Sequence, residues 1–392
     1  MIKIDFPREY AGVQKKEQVQ PKLEGPKVYE VHISDMRTFK TCRQRWDYSS
    51  LLRRGWSHEA PQKHLWLGST IHDALEMFYT PGDGYRDPEV LFETYESIVA
   101  EDFDAFERQP LTAEQWKELD DFATLGRGML EFYARWSARN DLFEVIVPEV
   151  SLKVPIPDIA GKTVVYAGRA DGLVKMEGDF YLLEHKTASR LPDMSTLFLD
   201  EQCVAYQWGC QIDPRFKDTR PIGTIYNFLV KKVAKQPRVL KSGALSKSKS
   251  QATTYELYMD AIAEGGYDED DYADILAHFM QPENAAEYIY RTIIRRTPQA
   301  VATFSARFVA TIAEMLDPEV VIYPNPSWWS CKYCPFRTPC SLEASGIDPD
   351  PLLRSEFKKR EPHRSRLQRR REEQRAKENC SVDTECSSTV QL

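Results

Sequence analysis

An α/β fold, with helices flanking a mixed sheet, is predicted by three observations. Residues 143–156, 163–176 and 180–187 carry the strand pattern in close succession. A helical stretch at about 196–213 then separates them from another strand at 222–230. Before them, residues 34–138 keep a helical period, so strands and helices alternate within one chain of 392 residues.

Taken in order, residues 1–27 are polar and read as a loose arm. Ser34 is placed to cap a first helix that carries Met36, Phe39 and Trp46, with Asp35 in its first turn. A second helix reads from about Gly68 to Tyr79, where Ile71, Leu75 and Phe78 form an apolar stripe. Residues 88–138 are helical with aromatics scattered through acidic sequence. The turn Gly178-Asp179 joins the second and third strands as an antiparallel pair. Residues 241–252 (KSGALSKSKSQA) read as a flexible loop, and 254–320 as helices with a strand at 287–296. From about 346 the chain is highly charged and expected to be disordered in isolation. The implied domains are the arm, one body over 28–345 and the tail.

The chain is 42% hydrophobic and 29% charged, which is ordinary globular usage, and its net charge is −8. Arg354 to Lys377 holds eleven Lys/Arg against four Glu, so the body is strongly acidic. Such a body holds DNA only through a locally basic cleft, but clustered carboxylates suit divalent metals. No apolar run nears the ~20 residues that span a bilayer, and the N-terminus lacks an apolar signal core. The reading is a cytoplasmic protein with no membrane partner. GxxxxGK[ST] is absent, so unwinding would fall to a helicase partner.

The chemistry concentrates at the second and third strands. Period-2 geometry puts Glu184 and Lys186 on one face and His185 on the other. Antiparallel pairing brings Asp171 beside Glu184. Two carboxylates and an ammonium at one point suit phosphodiester hydrolysis, in which a hard cation polarises phosphate and a lysine orients water. Glu-x-Lys alone is a common solvated pair. Here, however, the charges follow the apolar run YLL directly, where an unpaired charge is costly.

These residues resemble the motifs of the PD-(D/E)xK nuclease superfamily, RecB-like exonuclease branch. GRADG and YLLEHKT match its paired motifs. HISDMRTFKTCRQRW resembles the opening element, with Arg43 where a proline is usual. Gly68-x-x-x-His72 and Gln202-x-x-x-Tyr206 follow in the family's order over residues 31–345. The resemblance implies a restriction-endonuclease-like core with helical insertions. It implies Mg²⁺ or Mn²⁺ held by His72, Asp171 and Glu184, with Lys186, Gln202 and Tyr206 completing the catalytic set. Glu149 matches a glutamate on the preceding strand, in second rank with Lys231 and Lys232. The implied activity is a DNA exonuclease acting on single strands or ends, in recombination, repair or CRISPR-type processing. The alternative is a catalytically silent DNA-binding scaffold.

The chain has eight cysteines, and Cys331, Cys334 and Cys340 stand within ten residues. Close thiolates suggest a soft metal. In the family's iron–sulfur members, one N-terminal cysteine joins three C-terminal ones around a 4Fe–4S cluster. Cys42 with Cys331, Cys334 and Cys340 matches that pattern and would staple the two ends into a subdomain. Structural Zn²⁺ is the alternative. Cys203 and Cys210 read as core, and Cys380 and Cys386 as part of the tail. Trp328-Trp329 read as packing on the cluster rather than stacking on bases. Lys241, Lys247, Lys249, Arg291, Arg295 and Arg296 are further candidates for phosphate contact.

Overall fold

The computed structural model describes residues 28–58, 63–109, 111–159 and 161–360. The arm 1–27 and the tail beyond 360, with Cys380 and Cys386, lie outside them.

The chain opens with β1 (Val28–His32), α1 (Ile33–Thr41), α2 (Arg43–Ser49), β2 (Trp56–His58) and α3 (Lys63–Phe78). The helices α4 (Pro88–Phe106) and α5 (Ala113–Asn140) follow. Next come β3 (Glu144–Val147), β4 (Val150–Ile159), β5 (Lys162–Ala170), β6 (Gly172–Met176) and β7 (Asp179–Ala188). A 3-10 turn at Met194–Leu199 leads into α6 (Glu201–Ile212) and β8 (Gly223–Val230). The rest comprises α7 (Tyr255–Gly265), α8 (Ala273–Phe279), α9 (Pro282–Ala285), β9 (Ile289–Arg295) and α10 (Pro298–Met315). It ends with α11 (Trp328–Lys332), α12 (Arg337–Ala344), α13 (Asp350–Glu356) and β10 (Phe357–Lys359).

The mixed sheet has the order β3-β6-β7-β8-β9, with β7 and β8 parallel and the other pairs antiparallel. All eight residues of β8 are buried, as a central strand covered on both faces requires. On one side α3, α4 and α5 pack through Leu67, Ile71, Leu75, Leu130 and Tyr133 onto Leu183 and Ile225. The other side belongs to α1, α6 and α10 and to a second sheet, β1-β5-β4. Asp87 caps α4 ahead of Pro88, and Thr112 with Gln115 forms a capping box for α5. No helix among the described residues is long and apolar enough to cross a membrane.

Several elements depart from the sequence-based expectation, each for a local reason. The stretch 143–156 breaks at Pro148-Glu149, since proline has no N–H for the ladder. The stretch 163–176 breaks at Asp171, whose side chain bonds backbone in place of continuing the strand. The β6–β7 turn centres on Glu177 (φ 53°) and Gly178 (φ 92°), one residue earlier than predicted, with both in the left-handed region. His32 rather than Ser34 stands at the start of α1 and makes no side-chain cap. The predicted helix 196–213 is a 3-10 turn and α6, divided at Asp200, whose carboxylate caps α6 through the Gln202 N–H. The second helix begins five residues early, at Lys63.

The assigned tail is shorter than predicted, because residues 350–359 form α13 and β10. β10 pairs antiparallel with β2, and Tyr48, Phe336, Leu353 and Phe357 form a small apolar cluster. Gln44 donates to Glu343 at 2.9 Å, and Arg54 pairs with Asp350. Both ends of the described chain therefore share one lobe, held by packing and polar bonds.

Candidate active site

The register Gly172↔Leu183 sets Asp171, at the break between β5 and β6, against the Glu184 end of β7. Its carboxylate accepts the His185 backbone N–H at 2.7 Å through Oδ2 and pairs with His72 Nδ1 at 3.0 Å through Oδ1. His72 comes from α3. That helix approaches β7 closely at Gly68, where an added Cβ would stand 3.3 Å from Thr187 Oγ1. The glycine thus lets His72, one turn later, reach Asp171.

Lys186 Nζ donates to Glu184 Oε1 at 2.5 Å and to Gln202 Oε1 at 2.9 Å. Gln202 in turn donates to the Tyr206 hydroxyl at 2.9 Å, one helical turn along α6. All six residues line one groove of about 1470 Å³. The predicted set is therefore brought together from α3, the β5–β6 junction, β7 and α6.

Burial works against ionisation of Asp171, but the adjoining His72 and the His185 N–H hold its carboxyl well below the usual range. Burial also disfavours the charged His72, and Asp171 outweighs it, raising the imidazole. Burial raises the Glu184 carboxyl against the pull of Lys186, with Asp171 adding to the rise. Lys186 stays charged, because Glu184 more than offsets its desolvation. Among the described residues, no group of three or more His, Cys, Asp or Glu is arranged to hold a metal ion. The donors are turned to one another: His72 faces Asp171, and one oxygen of Glu184 faces Lys186.

The donor set itself fits a hard cation. Glu184 Oε2 is buried without a hydrogen-bond partner, which is costly for a carboxylate in that setting. Two carboxylates and an imidazole converge there, a chemistry suited to Mg²⁺ or Mn²⁺.

On the opposite face of β7 lies a polar network that sequence reasoning missed. Tyr79 donates to the fully buried Asp141 carboxylate at 2.7 Å, and its hydroxyl meets that of Tyr133 at 2.5 Å. Arg291 bonds Asp141 Oδ1 at 2.6 Å and Asn227 Oδ1 at 2.5 Å. Asn227 also donates to Tyr133 at 3.1 Å. His185 stacks on Tyr79 with centroids 5.7 Å apart, and burial lowers its imidazole to about 3, so the ring is neutral. One signal was available: Asn227 interrupts the apolar run IGTIYNFLV, where an amide needs partners.

The other candidates are placed as follows. Glu149 pairs with Arg169 at 3.0 Å beside a small cavity behind Asp171, and there the Glu76 carboxyl is pushed up to about 8 by burial and then by Glu149. Lys232 pairs with Glu287 at 2.8 Å, and Lys231 lies 6.0 Å from the Phe122 ring; neither lines the groove. Arg291 and Arg296, expected to contact phosphate, are engaged by internal partners instead, and the exposed Arg295 is bonded to the Tyr181 hydroxyl. Arg291 is committed to Asp141, Arg295 lies on Tyr181, and the buried Arg296 bonds the Leu197 carbonyl at 2.7 Å. Lys247 lies over the Tyr272 ring at 5.0 Å, and neither Lys241, Lys247 nor Lys249 lines the groove. The groove's exposed cations include Arg37 and Lys153, the latter 3.3 Å from Glu30.

Cys203 and Cys210 are fully buried core residues. Cys42, Cys331, Cys334 and Cys340 are half-buried in the lobe shared by the two chain ends. Burial raises the Cys340 thiol first, and Cys42, Cys334 and Cys331 all lie near enough to raise it further. The four thiols lie near one another, but among the described residues they are not arranged as a metal site. Trp328 and Trp329 do not pack on these cysteines; they are exposed.

The family model of the PD-(D/E)XK nuclease superfamily matches residues 31–341. No curated protein matches the chain. Among solved structures, the crystal structure of SSO0001 is 13% identical, covers 84% of this chain and 88% of that one, and superposes with a TM-score of 0.30. That likeness is too slight to carry an argument.

Proposed function

Since the chain belongs to the PD-(D/E)XK nuclease superfamily, we propose that it is a DNA exonuclease of the RecB-like kind that hydrolyses phosphodiester bonds in the groove headed by Lys186. The observation that carries this reading is the convergence of His72, Asp171, Glu184, Lys186, Gln202 and Tyr206 on that groove. His72, Asp171 and Glu184 would hold Mg²⁺ or Mn²⁺. When bound there, the cation supplies Lewis-acid charge that polarises a phosphate and acidifies water.

The chain's own part is to position and to balance charge. The Lys186 ammonium is fixed between Glu184 and Gln202 and keeps its proton. It is placed to orient a water toward phosphorus and to offset charge gathering on the phosphate oxygens. Gln202 holds the lysine, and Tyr206 holds Gln202. Asp171 stays ionised against the paired His72. The four lobe cysteines would hold a 4Fe–4S cluster with a structural role, structural Zn²⁺ being the alternative. Visible absorption by the purified protein is the iron–sulfur result, and a colourless zinc-loaded protein overturns that assignment.

The test is degradation of end-labelled linear DNA with Mg²⁺ or Mn²⁺. Cleavage should stop on chelation, and Lys186→Ala should slow it by about 100-fold or more. An inert wild-type protein, or an unchanged rate in Lys186→Ala, overturns the proposal. DNA binding without cleavage under every metal would favour a scaffold.

A further inference from the structure

The lobe shared by the two chain ends carries a patch of exposed rings. Trp328 is 76% exposed, and Trp329 and Tyr333 are each 70% exposed. Earlier in the same segment, Tyr323 and Val321 are 48% and 66% exposed. Isolated exposed apolar residues are ordinary, but three large exposed rings within six residues, 328–333, mark a candidate interaction site.

Two observations identify the occupant. The first is charge. From Val320 to Leu342 there is no Asp or Glu, while Lys332 and Arg337 are present, in a chain of net charge −8. Both cations are exposed, and Lys332 lies over the Tyr333 ring at 5.2 Å. Flat rings in a segment with two exposed cations and no carboxylate of its own fit a polyanion that carries π faces. The second is continuity with the groove. The first half of α1, including Ser34 and Arg37, lines the groove beside Lys186. At the other end of α1, the Thr41 carbonyl accepts from Asn325 Nδ2 at 2.9 Å, and Cys42 Sγ accepts the Asn325 N–H at 3.4 Å. Asn325 lies three residues before Trp328. Nine residues of helix span ~13 Å, a few nucleotides of single strand.

We propose that Trp328, Trp329 and Tyr333 form a stacking platform for the bases of single-stranded DNA whose backbone leaves the groove along α1. Base–ring stacking tolerates any sequence, because every base has a π face. The proposal rests on the groove being the DNA site, and it adds a place where the strand is held away from the chemistry.

The test measures binding of a fluorescent single-stranded thymidine oligonucleotide by the full-length protein in chelator, so no cleavage is needed. Failure here is therefore separate from failure of the hydrolytic reading, which the cleavage assay reports. Loss of roughly fivefold or more per ring predicts that the Trp328→Ala/Trp329→Ala pair binds at least about 20-fold more weakly. The Trp328→Phe/Trp329→Phe pair, which keeps flat rings, should stay within a few-fold of wild type. The same-length duplex should lose less affinity than the single strand. Unchanged binding by the alanine pair overturns the platform. Equal loss in both pairs shows that ring stacking is not the cause and overturns it too. If the alanine pair instead lowers the protein's molar mass in solution, the patch joins copies of the chain and the proposal fails.

Discussion

The two faces of β7 carry consecutive residues to opposite ends. Glu184 and Lys186 face the groove, where one oxygen of Glu184 is left without a hydrogen-bond partner. Behind them, His185 is packed neutral against Tyr79, and the charges beyond it are matched in full. The difference lies in what is left without a partner: a carboxylate oxygen, Glu184 Oε2, on the groove face and only a neutral ring nitrogen, His185 Nε2, behind it. A site that must accept a cation and a phosphate keeps donor atoms in reserve. The wall that fixes the site's geometry pairs its buried charges, Asp141 with Arg291, because an unpaired charge there would let the strand shift.

That contrast breaks most severely at Asp141. Asp141→Ala strands the Arg291 guanidinium in the interior, and breaking a buried pair costs about 3–5 kcal/mol. Denaturant unfolding should show that loss; a change under 1 kcal/mol would mean that the wall does not depend on this pair.

A smaller effect, with a pH signature, comes from the cavity behind Asp171. Glu76 has its carboxyl raised to about 8 by burial and by Glu149, against 4.5 when unfolded. Between those values the folded chain keeps a proton that the unfolded chain releases, so stability falls as pH rises through about 4.5 to 8. Glu76→Gln removes the titration and should stabilise the protein progressively toward the alkaline end of that window while changing little below the unfolded value. Melting profiles that stay parallel across that window would refute this.

On the groove face, Gln202→Ala removes one of the two acceptors holding Lys186. Cleavage should slow by about tenfold, the worth of one hydrogen bond to a charged group, with stability nearly unchanged. The reverse result, lost stability at full rate, would move Gln202 from the site to the scaffold. The mildest change is Lys232→Ala, which breaks an exposed ion pair outside both faces. It should cost no more than about 0.5 kcal/mol in thermal unfolding.

What the sequence made legible was local in spacing. Asp171, Glu184 and Lys186 fall within sixteen residues joined by one turn, so pairing and period alone put them together. His72 and Gln202 came only from their family resemblance, since no local rule says that α3 and α6 meet at one strand end. The rear network draws Tyr79, Tyr133 with Asp141, Asn227 and Arg291 from four separated stretches, and of these only Arg291 is singled out by the sequence, as a phosphate contact. The arginines at 291, 295 and 296 looked like a phosphate-binding cluster because a charge run does not reveal its partners. Trp328 and Trp329 were expected to pack on the cysteines, since composition shows that a ring is apolar but not whether anything covers it. Strand 163–176 was over-extended because the break at Asp171 serves the site, where local patterning gives way to function.

The shared lobe has a further consequence during synthesis. Gln44 and Glu343, which bond each other across it, are 299 residues apart. At ribosomal speeds of roughly 5–20 residues per second, the partner emerges about 15 to 60 seconds later. Throughout that interval Cys42 waits in a lobe that does not yet exist, so any metal or cluster held by the four thiols is loaded after most of the chain has left the ribosome. A truncated chain ending before residue 328 would therefore lack the lobe, however well its central sheet had formed.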